Sequence, residues 1–495
     1  MKTRVLLACA FLMPSMMAWA QKITGQTTFQ VKYPISQIGY PSRLLPDGEG
    51  GFTYMEYWQT GEGRKFPNHY LQHYNSKLEE QWFKPVTAEQ APKMADFIDV
   101  FRLQDAYGVV GHQYSPAAKC MTTKMQLFGE DGKERGALLT LSTLTKKEKK
   151  GYEDLIVQSP DGSKLLWLGH NPGASAKQRA FFCTVHDSKG GKVWSKKLLL
   201  PPSEQKYYVK QALVDNRGNA YFYMVYETIT NTAKDNEHRP FIARYDHKEG
   251  KVMLHALQFP GASVPQGMLH LNKRGELAFM GILSTEGAAG FANGAKVFNG
   301  VGMKWNKLVF TLFDVERELT VVQEYQMDFP PAWLERYGSR GADFAEAEII
   351  EHGENLYWVM EEHYTQMHQN MLQHCYYDVA VVALSMKTGE IQWANTFEKK
   401  QRDYKFGHLL SYTAGVAGGK LRFVYMNEKG AQGKIVCTSL SLQDGSAETV
   451  PLASNQSSEM MFFPKRSTLV SSEKMLLLGV GNPNASEYKL IQVGF

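Results

Sequence analysis

Cysteine is scarce in this chain, five in 495 residues, far below the density of a scaffold stapled by disulfides. Charge of one sign is scarce too. With 55 Lys and Arg against 50 Asp and Glu, and no basic block longer than the Lys146-Lys147-Glu148-Lys149-Lys150 patch, nucleic acid is excluded as an expected partner. Beyond residue 20 no run reaches the roughly 18 apolar residues of a membrane helix, so no transmembrane segment is expected. The motifs of familiar chemistries are missing as well. There is no G-x-x-x-x-G-K-[ST] phosphate loop, no H-E-x-x-H, no paired C-x-x-C, no G-x-S-x-G and no repeated S-x-D-x-G-x-T-W box. Disorder is excluded in its turn, because 43% hydrophobic and 12% aromatic residues supply ample surface for burial.

What is present begins at the N-terminus. Lys2 and Arg4 precede an apolar run over residues 5–13, and Ala18-Trp19-Ala20 offers small residues at the positions a signal peptidase reads. Residues 1–20 are therefore expected to be a signal peptide, and residues 21–495 a single exported domain that is periplasmic, cell-surface or outer-membrane-associated. Leu6-Leu7-Ala8-Cys9 resembles a lipid-attachment box, but the apolar run continues past Cys9. Four cysteines remain, Cys120, Cys183, Cys375 and Cys437. An even number permits bridges, while Cys183 and Cys437 sit in apolar strand patterns that suit buried thiols.

A unit recurs eight times: an apolar strand, a tight turn with Gly, Asp or Asn, and a second strand rich in aromatic and branched residues. Examples start at Ser42 (SRLLPDGEGGFTYMEYW), Asp154 (DLIVQSPDGSKLLWLGH) and Lys210 (KQALVDNRGNAYFYMVYE). The turn centres Asp47, Gln104, Asp161, Arg217, Arg274, Glu354, Gly418 and Glu473 fall 55 to 57 residues apart, apart from intervals of 80 and 64. A second hairpin follows in seven of the eight units, with turns near Asn75, Asp131, Asp187, Asp246, Asp314, Lys387 and Asp444. The unit is thus a four-stranded antiparallel meander. Radial packing of such sheets buries both faces of each and leaves only short edges.

The expected fold is all-β, an eight-bladed β-propeller. The last unit lacks its fourth strand, and residues 27–33 supply one, so the N-terminal strand is expected to close the ring in the last blade. The alternative is seven blades with an N-terminal extra. Lys387-Thr388-Gly389-Glu390-Ile391-Gln392-Trp393 and Gly190-Gly191-Lys192-Val193-Trp194 resemble the outer-strand Gly-plus-Trp phrase of quinoprotein-like β-propellers. The resemblance spans essentially the mature chain and implies architecture, since fold analogy does not transfer function.

Hairpin turns on one face of such a ring are tight, whereas connections on the other are long: residues 59–68, 112–123, 170–179, 227–239, 283–307 and 363–378. Residues 87–95 and 330–345 read as short helices in the crossings between blades. Long loops on a rigid scaffold concentrate recognition. Candidate binding residues on this face are Trp58, Arg64, Phe66, His112, Tyr114, His170, Arg179, His238, Phe291, Phe298, Trp305, Tyr364 and His368. His363, His368 and His374, near Met367, Met371 and Cys375, are weak candidates for a soft metal, although their spacings suit a surface loop better. Glu56, Glu227, Glu361, Glu362 and Asp378 are carboxylates that would meet over the axis if any were catalytic. No cofactor is expected. The functional expectation is a non-enzymatic propeller that binds a protein partner, or a glycan, through the long-loop face within a cell-envelope assembly. The competing class is a carbohydrate-active or quinoprotein-type enzyme.

Overall fold

The computed structural model describes residues 22–30, 44–58, 68–86, 96–115, 117–145, 153–170, 181–198, 206–228, 237–260, 262–284, 305–338, 344, 346–369, 371–404, 410–427, 434–452, 460–480 and 487–495. These form eight antiparallel blades of four principal strands, arranged in a ring. Blade 3 is representative, with Glu153–Gln158, Lys164–His170, Phe181–Asp187 and Lys192–Leu198 in sequence and in space. First strands of neighbouring blades approach one another around the axis. They are joined by side-chain amides: Gln211 Nε2 donates to Leu269 O (2.9 Å) and Gln211 Oε1 accepts from Leu269 N (2.7 Å) across blades 4 and 5.

Eight blades, not seven, close the ring. The eighth consists of Thr468–Ser471, Lys474–Val480, Glu487–Gly494 and the N-terminal strand Lys22–Gln30. That strand lies a few residues earlier than the expected 27–33 and pairs from Lys22 opposite Gly494 to Gln30 opposite Glu487. The two ends of the chain therefore share one sheet.

Burial explains why the strands read as continuous apolar runs. Alternate side chains point to opposite faces of a strand, and here each face meets a different blade. In blade 6, Leu356, Trp358 and Met360 pack towards blade 5, while Tyr357 and Val359 pack towards blade 7. One apolar cluster fills each of the eight junctions between successive blades.

The Asp and Asn residues of the repeat cap the tight turns. Asp47 Oδ1 accepts from the N–H groups of Glu49 and Gly51, Asp187 from Lys189 and Gly191, Asp215 from Arg217 and Asn219, and Asn272 from Arg274 and Glu276. A short side chain bonding two and four residues ahead needs no tertiary partner, which makes the turn a local signal. The recurrent Trp has a tertiary role. Trp82, Trp194 and Trp393 each donate the indole N–H to a turn carbonyl of the following blade, Glu130, Gly218 and Leu442 respectively.

Some expected loops are strands. Residues 112–115 and 120–123 belong to the hairpin of Ala106–Ser115 with Cys120–Gly129, and residues 363–368 and 371–378 to that of Asn355–His368 with Met371–Ser385. The crossing after Pro330 is a helical turn, Pro331–Trp333, followed by a π turn, Leu334–Gly338. The expected helix at 87–95 and most of 283–307 lie outside the described residues. Cys120, Cys183, Cys375 and Cys437 are free thiols, and Cys183 and Cys437 are buried as their strand context suggested. Among the described residues no helix is long and apolar enough to cross a membrane.

Candidate functional site

Blade 6 departs from its neighbours. Its second and third strands are 14 and 15 residues long, against 7 each in blade 3. The excess forms a projection from the face opposite the tight turns, in which His363 to His368 pair with Tyr376 to Met371. A fifth strand, Gln401–Asp403, pairs with His374 to Tyr376 and widens the projection to three strands.

From His363 to Tyr377 there is no Asp, Glu, Lys or Arg. At the tip Met367, Met371 and Leu372 are 68%, 45% and 48% exposed, and Tyr404 beside them is 38% exposed. The Tyr404 hydroxyl lies 2.8 Å from His368 Nδ1. Exposed large apolar groups clustered on a scaffold mark recognition surfaces, since water leaves them readily.

A buried polar cluster anchors the base between blades 6 and 7. Lys399 Nζ lies 2.5 Å from Glu361 Oε1, and both side chains are fully buried. Ser411 donates its hydroxyl to Glu361. Gln401 Oε1 accepts from Lys399 Nζ (2.5 Å) and Ser411 N (2.7 Å), while its amide donates to Met426 O. The ammonium also stands over the rings of Tyr376 and Tyr425 at 5.6 and 5.9 Å. On the other side Arg336, from the π turn, pairs with Asp378, whose pKa burial raises against the pull of Arg336. These two ion pairs tie the base of the projection to the neighbouring strands and to the π turn.

Chemistry is not built from this cluster. Ser411, Glu361 and Lys399 resemble a nucleophile with acid and base, yet all three are shut from solvent, and a reacting atom has no way in. Burial also pushes the Cys375 thiol pKa up, which keeps it from acting as a thiolate. Glu361 and Asp378 engage these ion pairs and do not meet over the axis.

The structure separates the sequence candidates. Tyr364 sits on the projection with its ring 5.4 Å from that of Tyr377, and His368 is at the tip. His363 stacks on Tyr376 and, at 6.2 Å, on His374. His368 pairs with Met371 an odd number of residues further on and so falls on the opposite face, which divides the three histidines. Among the described residues no three His, Cys, Asp or Glu come together as a metal site.

His112 is half-buried, with Nε2 2.5 Å from Asp154 of blade 3. Trp305, expected on the binding face, is instead buried against Phe344 at 5.6 Å, within the cluster that also holds Trp333 and Tyr337. Trp58, Tyr114, His170 and His238 lie in strands, their side chains outside the described set; Arg64, Phe66, Arg179, Phe291 and Phe298 lie outside the described residues altogether. Sequence reasoning named Met367 and Met371 only as neighbours of a candidate soft-metal cluster, and it missed Leu372 and Tyr404. The signal that would have found them is the uncharged run from His363 to Tyr377 inside a chain that is 21% charged.

A concavity of about 350 Å³ is lined by first strands of blades 3 to 6, with Gln211, Met268, His270, Glu348 and Ile349 among its walls. His270 Nε2 stands 3.5 Å from Glu351, and burial brings the imidazole pKa down to about 4.

No protein-family model and no curated protein matches the chain. Among solved structures it is similar to the C-terminal WD40 domain of Sif2 (10% identity, 96% of this chain and 98% of that one, TM-score 0.37). It is similar also to an ulvan lyase of a polysaccharide lyase family (12%, 85% and 93%, 0.36) and to BamB from Moraxella catarrhalis (14%, 81% and 99%, 0.29).

Proposed function

We propose that this protein is an exported, non-enzymatic β-propeller that binds a protein partner in the cell envelope through the face carrying the blade 6 projection. The observation that carries this reading is the projection itself: a three-stranded sheet whose long hairpin has no charged residue from His363 to Tyr377, with Met367, Met371 and Leu372 exposed at its tip and the Glu361–Lys399 pair anchoring its base. Thioether and aliphatic side chains adapt to varied surfaces, and a pre-ordered backbone beneath them limits the entropy lost on docking to the side chains themselves. Export is supported by the leader-like residues 1–20.

The test is a photo-cross-linking amino acid placed at Met367 or, on the tight-turn face, at Lys189, in cells that express the full chain. The expected result is one protein cross-linked in stoichiometric amount from Met367 and none from Lys189. A chain that cross-links nothing from Met367 and turns over an envelope polysaccharide would overturn the reading and favour the enzyme class.

A further inference from the structure

The two faces of the projection carry opposite charges. Cross-strand partners share a face, and successive residues of a strand alternate between faces. The register sets Arg402 opposite Cys375 and Cys375 opposite Tyr364, whereas Asp403 stands opposite His374 and His374 opposite Thr365. One face therefore holds Tyr364, His368, Met371 and Tyr377, with Arg402 as its one Lys, Arg, Asp or Glu. The other holds Met367, Leu372 and the Asp403 carboxylate.

Arg402 is exposed, yet it is held in place. Its Nε donates to the Tyr377 hydroxyl, and its Cζ lies 5.2 Å from the centroid of the Tyr377 ring. Arg102, Arg135, Arg217, Arg244 and Arg336 each pair with a carboxylate. Among the described residues Arg402 has no such partner, and its terminal amino groups make no hydrogen bond. Towards the tip, Tyr404 is 38% and Met371 45% exposed, and the contact of Tyr404 with His368 places it on the same face. A guanidinium, a phenol ring and a thioether thus follow one another along this face.

We infer that this face takes an acidic and apolar segment of the partner protein: one Asp or Glu carboxylate meets the terminal amino groups of Arg402, and a large apolar side chain covers Met371 and Tyr404. The planar fork of a guanidinium matches a carboxylate, and the bond to Tyr377 has already restricted it, so little further order is lost on docking. Cys375, opposite Arg402, lies four residues from Met371, which separates the two contacts by about 13 Å, or four positions of an extended segment. A single cation beside apolar groups suits a single carboxylate. A polyuronate or an anionic lipid surface presents repeated charges and calls for several cations, and the hairpin from His363 to Tyr377 has no Lys or Arg. On the opposite face Asp403 repels the same segment. The inference rests on the protein-partner reading and names the chemistry of the segment and the face it meets.

The experiment uses protein purified from cells that express the full chain, and a fluorescent ten-residue peptide of Ser and Thr that carries one Glu and, four positions on, one Leu. Saturable binding is expected. Gln in place of the peptide's Glu, or Arg402→Gln in the protein, should each weaken it by about tenfold. Arg402→Lys, which keeps the charge and loses the fork, should weaken it by about threefold, and so should Met371→Ser, which removes the apolar contact. Arg402→Glu should abolish binding of the Glu peptide and gain binding of the same peptide with Lys in place of Glu, a reversal that an unfolded variant does not give. Asp403→Asn should not weaken binding.

Absence of saturable binding, equal binding of the Gln peptide, or indifference to Arg402→Glu overturns the inference. So does a dimer of the free chain that Arg402→Glu dissolves, which would assign the face to a second copy. Binding of a uronic-acid oligosaccharide, or of anionic phospholipid vesicles, that is lost with Arg402→Glu and is not accompanied by peptide binding would give the face to glycan or lipid and overturn it too. If Met367 cross-links a protein partner and Arg402→Glu leaves that yield unchanged, the acidic-segment inference fails while the protein-partner reading stands.

Discussion

The indole of Trp393 in blade 6 occupies the space where Gly445 of blade 7 lacks a side chain. A Cβ added at Gly445 would stand 2.5 Å from Trp393 Cε3, and Gly445 has φ of +72°. Gly132 seats Trp82 in the same way between blades 1 and 2, with 2.8 Å to the indole. The Gly and Trp of the repeat are therefore partners across a blade junction, one blade supplying the ring and the next its seat. Gly445→Ala should destabilise the protein by about 2–4 kcal/mol, combining a left-handed backbone that Ala resists with a ring that must shift. Urea unfolding checks this, and Gly353→Ala, where an added Cβ meets nothing within 4 Å, is the control that retains only the backbone part.

Removing one partner of the buried pair at the base of the projection leaves the other charge stranded. Glu361→Leu or Lys399→Met alone should each cost about 3–5 kcal/mol, whereas the double substitution should recover most of the loss. A double-mutant cycle by denaturant unfolding measures the coupling.

His270 makes stability pH-dependent. Burial lowers its folded pKa to about 4, below the unfolded value near 6.5. Above 6.5 neither state holds the proton and stability is complete. As the pH falls from about 6.5 to 4 the unfolded state binds a proton that the folded state refuses, so stability drops by up to about 3 kcal/mol and then levels off. His73, His186 and His255, also lowered by burial, add in the same direction. His270→Gln should flatten the dependence of the urea midpoint between pH 6.5 and 4.5, and an unchanged slope would contradict this account.

Deleting residues 21–30 strips the outer strand from blade 8 and bares the edge from Glu487 to Gly494. Ile23, which packs with the cluster between blades 7 and 8, goes with it. The truncated chain should melt at a lower temperature, by about 1 °C for each ~1 kcal/mol lost, because the unfolding entropy of so long a chain is large. It should also self-associate on size-exclusion chromatography through the new edge.

Replacing Trp305 by Ala should cost about 3–5 kcal/mol as a cavity in the cluster between blades 5 and 6, against less than about 0.5 kcal/mol for Met367→Ser at the exposed tip. Thermal unfolding of the two variants side by side separates a core residue from a surface one.

The two tryptophan-bearing regions show why some features were legible and others were not. Trp393 follows a Gly-containing turn, and both obey local rules, so the outer strand was readable from the chain alone. Trp305 follows a long Gly-rich stretch, and nothing local announces that Trp333, Tyr337 and Phe344, some thirty to forty residues on, fold over it. Residues 363–378 read as a loop because His, Gln and Asn interrupt the apolar alternation. His363 to His368 and Met371 to Tyr376 are a strand pair because they continue the hairpin of blade 6 beyond Glu361 and Val379, after one register shift, and each further residue adds a cross-strand partner.

By itself the sequence determined what local chemistry and periodicity control: the turns capped by Asp and Asn, the period near 57 residues, and hence a ring of four-stranded blades. Tertiary structure alone decided what depends on partners distant in the chain. The pairing of Lys22 with Gly494, the burial of Trp305, the Glu361–Lys399 anchor and the division of the three histidines between two faces all belong to this second kind. The physical reason is that exposure and ion pairing are properties of the space between blades, and that space exists only once the ring has closed.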